Sequence, residues 1–425
     1  MLVERDRTGE DCMVTVGDVG GRPEPARLTG RYLVVLGDEL VGDEDAARAA
    51  LQSLLTGAQE VVRTRAAEVV LFANLGVAVS AIPPDRLAVV AADERVLSVE
   101  PERVLHALGQ LSEEYLRGFR DAAVFLHTQA IDVAELRPSL FEDTAEVTWG
   151  LQATRVPASA ETGAGIVVAV LDTGLDLTHP DFAGRDIEAR SFVDGETAQD
   201  GNGHGTHVTG TACGPLAPAG GRRYGIAHEA RILVGKVLDD AGSGTDADIL
   251  AGISWAISSG ARVISMSLGA AVNEGSTAYE TVGRRALQAG ALIVAAAGNN
   301  ADRRVGDPGF VGIPANSPSI MAVGAVDNTL DIAFFSARSS ELEGGQVDIA
   351  GPGVEVYSSW PVPQGYNTIS GTSMATPHVA GIAALWSQRT GATGEALWAE
   401  LVRSAQRLPL PSSDVGAGLV QAPST

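Results

Sequence analysis

Lysine and cysteine are nearly absent from this sequence. Lys236 is the only lysine among 30 basic residues, and the only cysteines are Cys12 and Cys213. Two cysteines exclude the disulfide framework on which many small secreted domains depend. We therefore expect Cys213 to pack as a small apolar side chain on a buried helix, with thiol-sensitive regulation as the alternative.

Long apolar runs are also missing. No stretch approaches 18 consecutive apolar residues, so we expect no transmembrane helix and no membrane partner. The N-terminal sequence MLVERDRTGED is charged and lacks the apolar core of a secretory signal. The sequence as it stands therefore predicts a cytoplasmic protein, or a secreted one if the true start lies upstream.

Basic residues are also few compared with acidic ones, and the net charge is −23. An acidic balance spread along the whole chain favours solubility and argues against nucleic acid as a partner. What the chain does have is 425 residues, of which 45% are hydrophobic and 50 are glycine. This is enough for one large globular domain and one smaller one, each with its own core.

The pattern along the chain divides it into four segments. We expect a loose tail over residues 1–29, a small domain over 30–106, a linker or insertion over 107–147 and a large domain over 148–425. In the small domain, the apolar periodicity predicts the order β-α-β-β-α-β, which forms a two-layer, ferredoxin-like α/β unit. The linker combines a run with helical spacing, LSEEYLRGFRDAAVFLHTQAIDVAEL, with an exposed connector, RPSLFEDTAEV.

The large domain alternates short apolar runs with helical stretches. The runs are GIVVAVLDTG, ARILVGKVLD, ARVISMSLG, ALIVAAAGN and IMAVGAV, and runs of this kind are typical of strands buried on both faces of a parallel sheet. The alternation predicts a doubly wound, mainly parallel α/β sheet. In such sheets the chemistry gathers beyond the carboxyl ends of the strands.

Polar residues with catalytic potential lie where strands end and helices begin. Asp172 follows the apolar strand IVVAVL, His204 opens a helix after a glycine-rich turn, and Ser373 lies in SGTSMATPHVAGIAALW at the start of another helix. Each also has a non-catalytic interpretation: Asp172 as a capping residue, His204 as a structural histidine and Ser373 as an N-cap. His204 and His207 are one helical turn apart and could ligate a metal, but no third ligand with suitable spacing follows.

Together these segments resemble the subtilase family of serine endopeptidases. VAVLDTGLDLTHPDF, NGHGTHVTG and GTSMATPHVAG occur in the order Asp, His, Ser, and the likeness covers about residues 149–421. The resemblance implies that Asp172 orients the base, His204 is the general base and acid, and Ser373 is the nucleophile that forms an acyl-enzyme with a protein or peptide substrate. Because the family's base directly precedes Gly-Thr, His207 becomes a structural neighbour.

Further segments resemble the family's substrate-binding parts. AAAGNN implies that Asn299 donates to the oxyanion together with the Ser373 backbone N–H. MSLG and DDAGSG match two strands that hold an extended peptide between them. The residues implied are Ser267, Leu268, Gly269, Gly242, Ser243 and Gly244.

Other positions bear on specificity and on metal binding. Gly312 aligns with the floor of the first pocket, which implies a preference for an apolar side chain there. Asp246 could favour a basic or polar group in a more distant pocket, with a solvated loop Asp as the alternative. Asp181 matches a residue that helps bind calcium in many subtilases, but the partner loop GPLAPAGGRRYG offers no Asn or Asp and carries two arginines. We therefore expect no cofactor and no tight calcium site.

The small N-terminal domain resembles the inhibitory propeptides of subtilases in its element order and in ADERVLSVEPERV. This implies a self-processing zymogen in which the chain's own N-terminal domain blocks the cleft until cleavage within 107–147. A permanent accessory domain is the alternative.

Rival functions are a transpeptidase or macrocyclase, a catalytically silent binding protein, and a sedolisin-type acid peptidase, against which the HGTH segment argues.

Overall fold

The computed structural model of the protein describes residues 27–56, 69–108 and 139–424. Its strands are β1 Leu28–Leu36, β2 Val70–Phe72, β3 Val77–Ser80, β4 Val96–Ala107, β5 Val167–Asp172, β6 Ile187–Ser191, β7 Arg231–Lys236, β8 Ser243–Thr245, β9 Val263–Met266, β10 Leu268–Gly269, β11 Leu292–Ala296, β12 Met321–Val326, β13 Ile349–Pro352, β14 Val356–Ser359 and β15 Tyr366–Ile369. Its helices are α1 Glu44–Thr56, α2 Pro84–Ala91, α3 Trp149–Ala153, α4 His204–Cys213, α5 Asp246–Ser258, α6 Thr277–Gln288, α7 Thr372–Thr390, α8 Gly394–Ser404 and α9 Ser412–Val415.

A seven-stranded sheet in the order β13-β12-β11-β9-β5-β7-β6 forms the centre of the large domain. Every neighbouring pair in this sheet is parallel. Its strands are nearly pure apolar runs because both faces are covered: in β5, Val168 and Val170 face one core while Ala169 and Leu171 face the other. The fold is therefore a doubly wound α/β sheet, as the sequence predicts.

The small domain has the predicted β-α-β-β-α-β order, and its strands pair antiparallel in the order β4-β1-β3-β2. One face of this sheet is covered by α1 and α2, which bury Val34 and Leu36. The alternate residues Leu33 and Val35 lie on the other face, and they are fully buried in a core shared with α5 and α6 of the large domain. The large domain thus completes the core of the small one.

Polar contacts fix how these two domains meet. Glu100 in β4 accepts a hydrogen bond from the N–H of Ala278 in the first turn of α6 at 3.0 Å and one from the Ser276 hydroxyl at 2.7 Å. Glu102 is fully buried beside the N-terminus of α5, where the N–H of Ala247 donates to it at 3.3 Å. Carboxylates are stabilised at helix N-termini, so β4 docks against both helices in one register.

Several expectations from the sequence need adjustment or lie outside the described residues. The first strand begins at Leu28 and β4 continues to Ala107, so the small domain extends past both expected boundaries, 30 and 106. The tail over 1–26 and the helical spacing over 109–138 lie outside the described residues. The connector is mostly exposed, as expected, but Phe141 packs on the large domain: its N–H donates to the Asn328 carbonyl, and its ring lies against a buried cluster. In the part of the chain that the structure describes, no helix is both long and apolar enough to span a membrane.

Two buried histidines in the helices that carry the candidate catalytic residues make stability pH-dependent. Burial lowers the pKa of His207 to about 3 and that of His378 to about 4, whereas an unfolded histidine titrates near ~6.5. The unfolded chain therefore takes up protons that the native state excludes as pH falls below this value. As pH falls from 6.5 to 4.5, we expect each histidine to lower the free energy of unfolding of Ser373→Ala protein by up to about 1.4 kcal/mol per pH unit. Asp246 and Asp348, whose carboxyl pKa burial raises to about 6 and about 7, act in the opposite direction.

Equilibrium urea unfolding at several pH values measures this slope. Over this range the free energy of unfolding of His378→Gln should fall less than that of the parent protein, by up to about 1.4 kcal/mol per pH unit, because one of the two histidines is gone. The same pH dependence in both proteins would contradict the assignment of His378 as neutral in the native state.

Candidate active site

Asp172 and His204 form a buried pair at the carboxyl end of the central sheet. Asp172 is the last residue of β5, and its Oδ1 lies 2.7 Å from His204 Nδ1 in the first turn of α4. Both side chains are essentially inaccessible to solvent. The carboxylate can therefore hold the imidazole in one orientation and stabilise it when it becomes protonated.

A second carboxylate holds the start of α4 in place. Asp200 accepts hydrogen bonds from the backbone N–H groups of Gly203 and Thr206 and from the hydroxyls of Thr173 and Thr206. The helix also passes so close to the backbone at Gly174 that a Cβ on Gly205 would collide with the Gly174 carbonyl. This explains why a glycine follows His204.

Ser373 is the second residue of α7 and is fully buried. Its hydroxyl donates to the Ser267 carbonyl at 3.0 Å, and the Ser267 hydroxyl donates to the Ser373 carbonyl at 2.8 Å. His204 Nε2 is buried without a hydrogen-bond partner among the described residues. A nitrogen in this state is free to accept a proton from a group that rotates toward it.

Asn299 presents its amide N–H₂ to the same place. Its Oδ1 accepts hydrogen bonds from the backbone N–H of Thr372 at 2.9 Å and from the Thr372 hydroxyl at 2.8 Å. With the oxygen held in this way, Nδ2 must point the other way, and it donates to the carbonyl oxygen of Leu108. A carbonyl of the chain's own small domain thus lies where an oxyanion would be stabilised.

The residues before Leu108 lie in the cleft as an added strand. β4 pairs antiparallel with β8 on one side, through Leu105 with Gly244 and His106 with Ser243. On the other side β4 pairs with β10, through Ala107 with Leu268 and His106 with Gly269. The pairing continues on both sides at the C-terminal end of β4: the N–H of Ala107 donates to the Gly242 carbonyl at 2.9 Å, and the N–H of Leu108 donates to the Ser267 carbonyl at 3.2 Å.

Leu108 also lines a pocket of about 200 Å³ beside Asn299. The remaining lining residues are small or apolar apart from Asn300: Ala270, Ala271, Ala296, Ala297, Gly298, Gly312 and Ile313. A Cβ on Gly312 would collide with the Ala270 carbonyl, so residue 312 must be a glycine for the two backbone segments to lie this close. The lining carries no acidic side chain, and such a pocket favours an apolar group over Arg or Lys.

Asp246 differs from the solvated loop residue considered as one alternative. It is fully buried at the start of α5, where Oδ1 accepts from the Tyr279 hydroxyl at 2.6 Å and Oδ2 accepts from the backbone N–H of Arg103 at 2.7 Å. Burial raises the pKa of the Asp246 carboxyl to about 6. The loop interpretation from the sequence is therefore wrong, because the small domain covers this carboxylate.

The carboxylate of Asp181 is held by three hydrogen-bond donors. It accepts hydrogen bonds from the Tyr224 hydroxyl at 2.6 Å, the Tyr366 hydroxyl at 3.1 Å and the backbone N–H of Ala219 at 2.6 Å. All three groups are donors and hold the oxygens that a hard cation would need. Across residues 27–56, 69–108 and 139–424, no group of three or more His, Cys, Asp or Glu side chains is placed to hold a metal ion.

Sequence reasoning missed four residues that position this site. Asp200 caps α4, Thr372 orients Asn299, and Tyr279 holds Asp246. The lone lysine, Lys236, is fully buried beside Asp172 in the sheet, where its Nζ donates to the Thr173 carbonyl at 2.6 Å. An acidic residue a few positions before a glycine-rich helix start suggests a cap, but nothing local in the sequence marks the other three, which act across the fold.

Comparison with known proteins agrees with this geometry. The family model described as the subtilase family matches residues 163–418. Subtilisin E of Bacillus subtilis is 39% identical over 302 residues, covering 68% of this chain and 76% of its own. Subtilisin of Bacillus pumilus is 43% identical over 244 residues, with coverage of 56% and 84%, and M-protease of Shouchella clausii is 40% identical over 280 residues, with coverage of 63% and 69%. The chain therefore belongs to the subtilase family of serine endopeptidases.

Proposed function

We propose that this serine endopeptidase acts through Asp172, His204 and Ser373, and that its first substrate is its own chain at the bond between Leu108 and Gly109. One observation carries the proposal: the Leu108 carbonyl accepts from Asn299 Nδ2 while residues 104–107 pair with strands on both sides of the cleft. This is the arrangement of a peptide bound for cleavage. Protein and peptide substrates would take the same path.

The reaction assigns one task to each group. The Ser373 hydroxyl exchanges its bond with the Ser267 carbonyl for one with His204 Nε2, gives its proton to that nitrogen and attacks the substrate carbonyl carbon. Asn299 Nδ2 and the Ser373 backbone N–H stabilise the oxyanion. The protonated His204 then gives its proton to the leaving amine, so that the C–N bond breaks and an acyl-enzyme remains. Water, deprotonated by His204, releases the acid and restores Ser373.

The small domain is proposed to inhibit the enzyme after this cut. Leu108 would remain in the pocket as the new C-terminus, held by the strand pairing of β4 and by the core that the two domains share. Further cleavage of the small domain would then free the cleft for other substrates. The apolar pocket lining favours medium or large apolar side chains, such as leucine, next to the scissile bond.

Processing of the purified protein tests this function. Wild type should convert to a shorter chain whose first residue is Gly109, and Ser373→Ala should remain full length. Leu108→Asp should slow the conversion by roughly tenfold or more, because a carboxylate in an apolar pocket loses its hydration without gaining a partner. Leu97→Asp is the matched control: Leu97 is 51% exposed in the same strand, and its replacement should leave the rate of processing unchanged.

Intact-mass measurements and N-terminal sequencing over time report the outcome. A first cut elsewhere in the chain, or equal conversion of wild type and Ser373→Ala, would overturn the proposed processing site and the proposed nucleophile respectively.

Subtilases need no cofactor for catalysis, and we propose further that this one needs no calcium for stability at Asp181. The half-life of thermal inactivation should be the same with and without a chelator, because tyrosine hydroxyls occupy the carboxylate. Tyr366→Phe should lower the melting temperature by a few degrees, because its hydroxyl donates to the Asp181 carboxylate and accepts from the Gly220 backbone N–H. Tyr357→Phe is the control, since its ring stacks on Tyr366 without bonding Asp181. A half-life shortened by chelation would contradict this account.

A further inference from the structure

The interactions in the cleft continue beyond the two strands that hold the peptide. Counting back from Leu108 as the first residue, Arg103 is the sixth. The ladder with β8 ends one residue before it, where Val104 pairs with Thr245, because the chain enters α5 at the next residue. No backbone carbonyl of β8 is left to accept the next N–H of the peptide.

A side-chain carboxylate accepts this N–H in place of a backbone carbonyl. Asp246 Oδ2 accepts the backbone N–H of Arg103 at 2.7 Å, and the Tyr279 hydroxyl fixes the other oxygen at 2.6 Å. Both partners are donors, so the carboxylate satisfies them best in its ionised form. The bond is to the main chain of the peptide and not to a side chain peculiar to the small domain, so any extended substrate with an N–H at this position can make it.

The charge at this position adds a side-chain preference. The 2.7 Å bond from its backbone N–H holds Arg103 next to Asp246. From there its guanidinium stabilises the ionised carboxylate, against the effect of burial. Glu100 reaches the same guanidinium only at 3.9 Å, and Glu100 belongs to the small domain. When another substrate occupies the cleft, Asp246 is the acidic group that the large domain itself supplies there.

We propose that Asp246, oriented by Tyr279, is a specificity-determining residue that binds the backbone N–H of the sixth substrate residue before the scissile bond, favours a basic side chain there and gives no advantage to proline, which lacks the N–H. The inference rests on the proposed function, since the count begins at Leu108. It extends the substrate class from peptides with an apolar residue at the cut to longer peptides that also carry Arg or Lys five residues upstream of it.

Four acetylated peptides with a chromogenic amide after leucine test this at pH 8 with the processed enzyme, freed of its small domain. They are VLHAL, which lacks the sixth residue, and AVLHAL, PVLHAL and RVLHAL. We expect kcat/KM for AVLHAL to exceed that for VLHAL by about tenfold, the range for a hydrogen bond to a charged group. RVLHAL should be cleaved about two- to fivefold faster still, as expected for a partly exposed charge pair. PVLHAL, without an N–H, should match VLHAL.

Variants of the enzyme test whether Asp246 causes the difference in kcat/KM between AVLHAL and VLHAL. Asp246→Ala should bring the ratio of kcat/KM for AVLHAL over VLHAL close to one, and Tyr279→Phe should reduce the ratio in part. Asp186→Asn is the control: this carboxylate is exposed and lies outside the cleft, so the ratio should stay as in wild type. The ratio does not depend on the fraction of active enzyme, so a partly misfolded variant still gives a valid ratio. If Asp246→Ala fails to fold, the kcat/KM values of the wild-type enzyme for the four peptides still test the proposal.

The outcomes separate this inference from the function on which it rests. Cleavage of all four peptides after leucine at equal rates would overturn the role of Asp246 and leave the proposed function standing. A ratio retained in Asp246→Ala would do the same. Failure to cleave any of them after leucine would overturn the proposed function and the inference with it.

Discussion

The apolar face that the small sheet shares with α5 and α6 is the contact on which the rest of the structure depends. Leu33 and Val35 point away from the helices of their own domain and are fully buried only because the large domain covers them. Burial of side chains of this size contributes roughly 1.5–3 kcal/mol each. The small sheet therefore docks in one orientation, and β4 is directed along the cleft.

Charge placement makes this docking specific. Glu100 and Glu102 lie at the N-termini of α6 and α5, so a shift of β4 by one residue would turn both carboxylates to the opposite face and away from the helix ends. The same register brings Leu108 into the pocket and its carbonyl to Asn299. One contact thus completes a core and lays residues 104–108 along the cleft beside Asn299. In the proposed processing, this coupling would let a single strand be substrate first and inhibitor afterwards.

The sequence predicted the parts of this molecule that follow local rules. The parallel strands, the element order of the small domain and the positions of Asp172, His204 and Ser373 at strand and helix ends could be recognised from apolar periodicity and motif order. Asp246 could not be placed, because its burial depends on a strand that precedes it by more than a hundred residues. For the same reason Tyr279 and Lys236 gave no signal: their partners are neighbours only in the folded chain. Leu108 looked like the start of a linker, since nothing local shows that a strand ends in a pocket.

The central claim is that residues 103–108 occupy the substrate cleft, and competition measures this most directly. The small-domain fragment released by processing is added back to the freed enzyme during cleavage of a chromogenic peptide. The account predicts inhibition that is competitive with the peptide. The inhibition constant should be at least about tenfold weaker for a fragment that ends at His106, which lacks the half-buried Leu108 and two strand hydrogen bonds. Non-competitive inhibition, or equal potency of the two fragments, would contradict it.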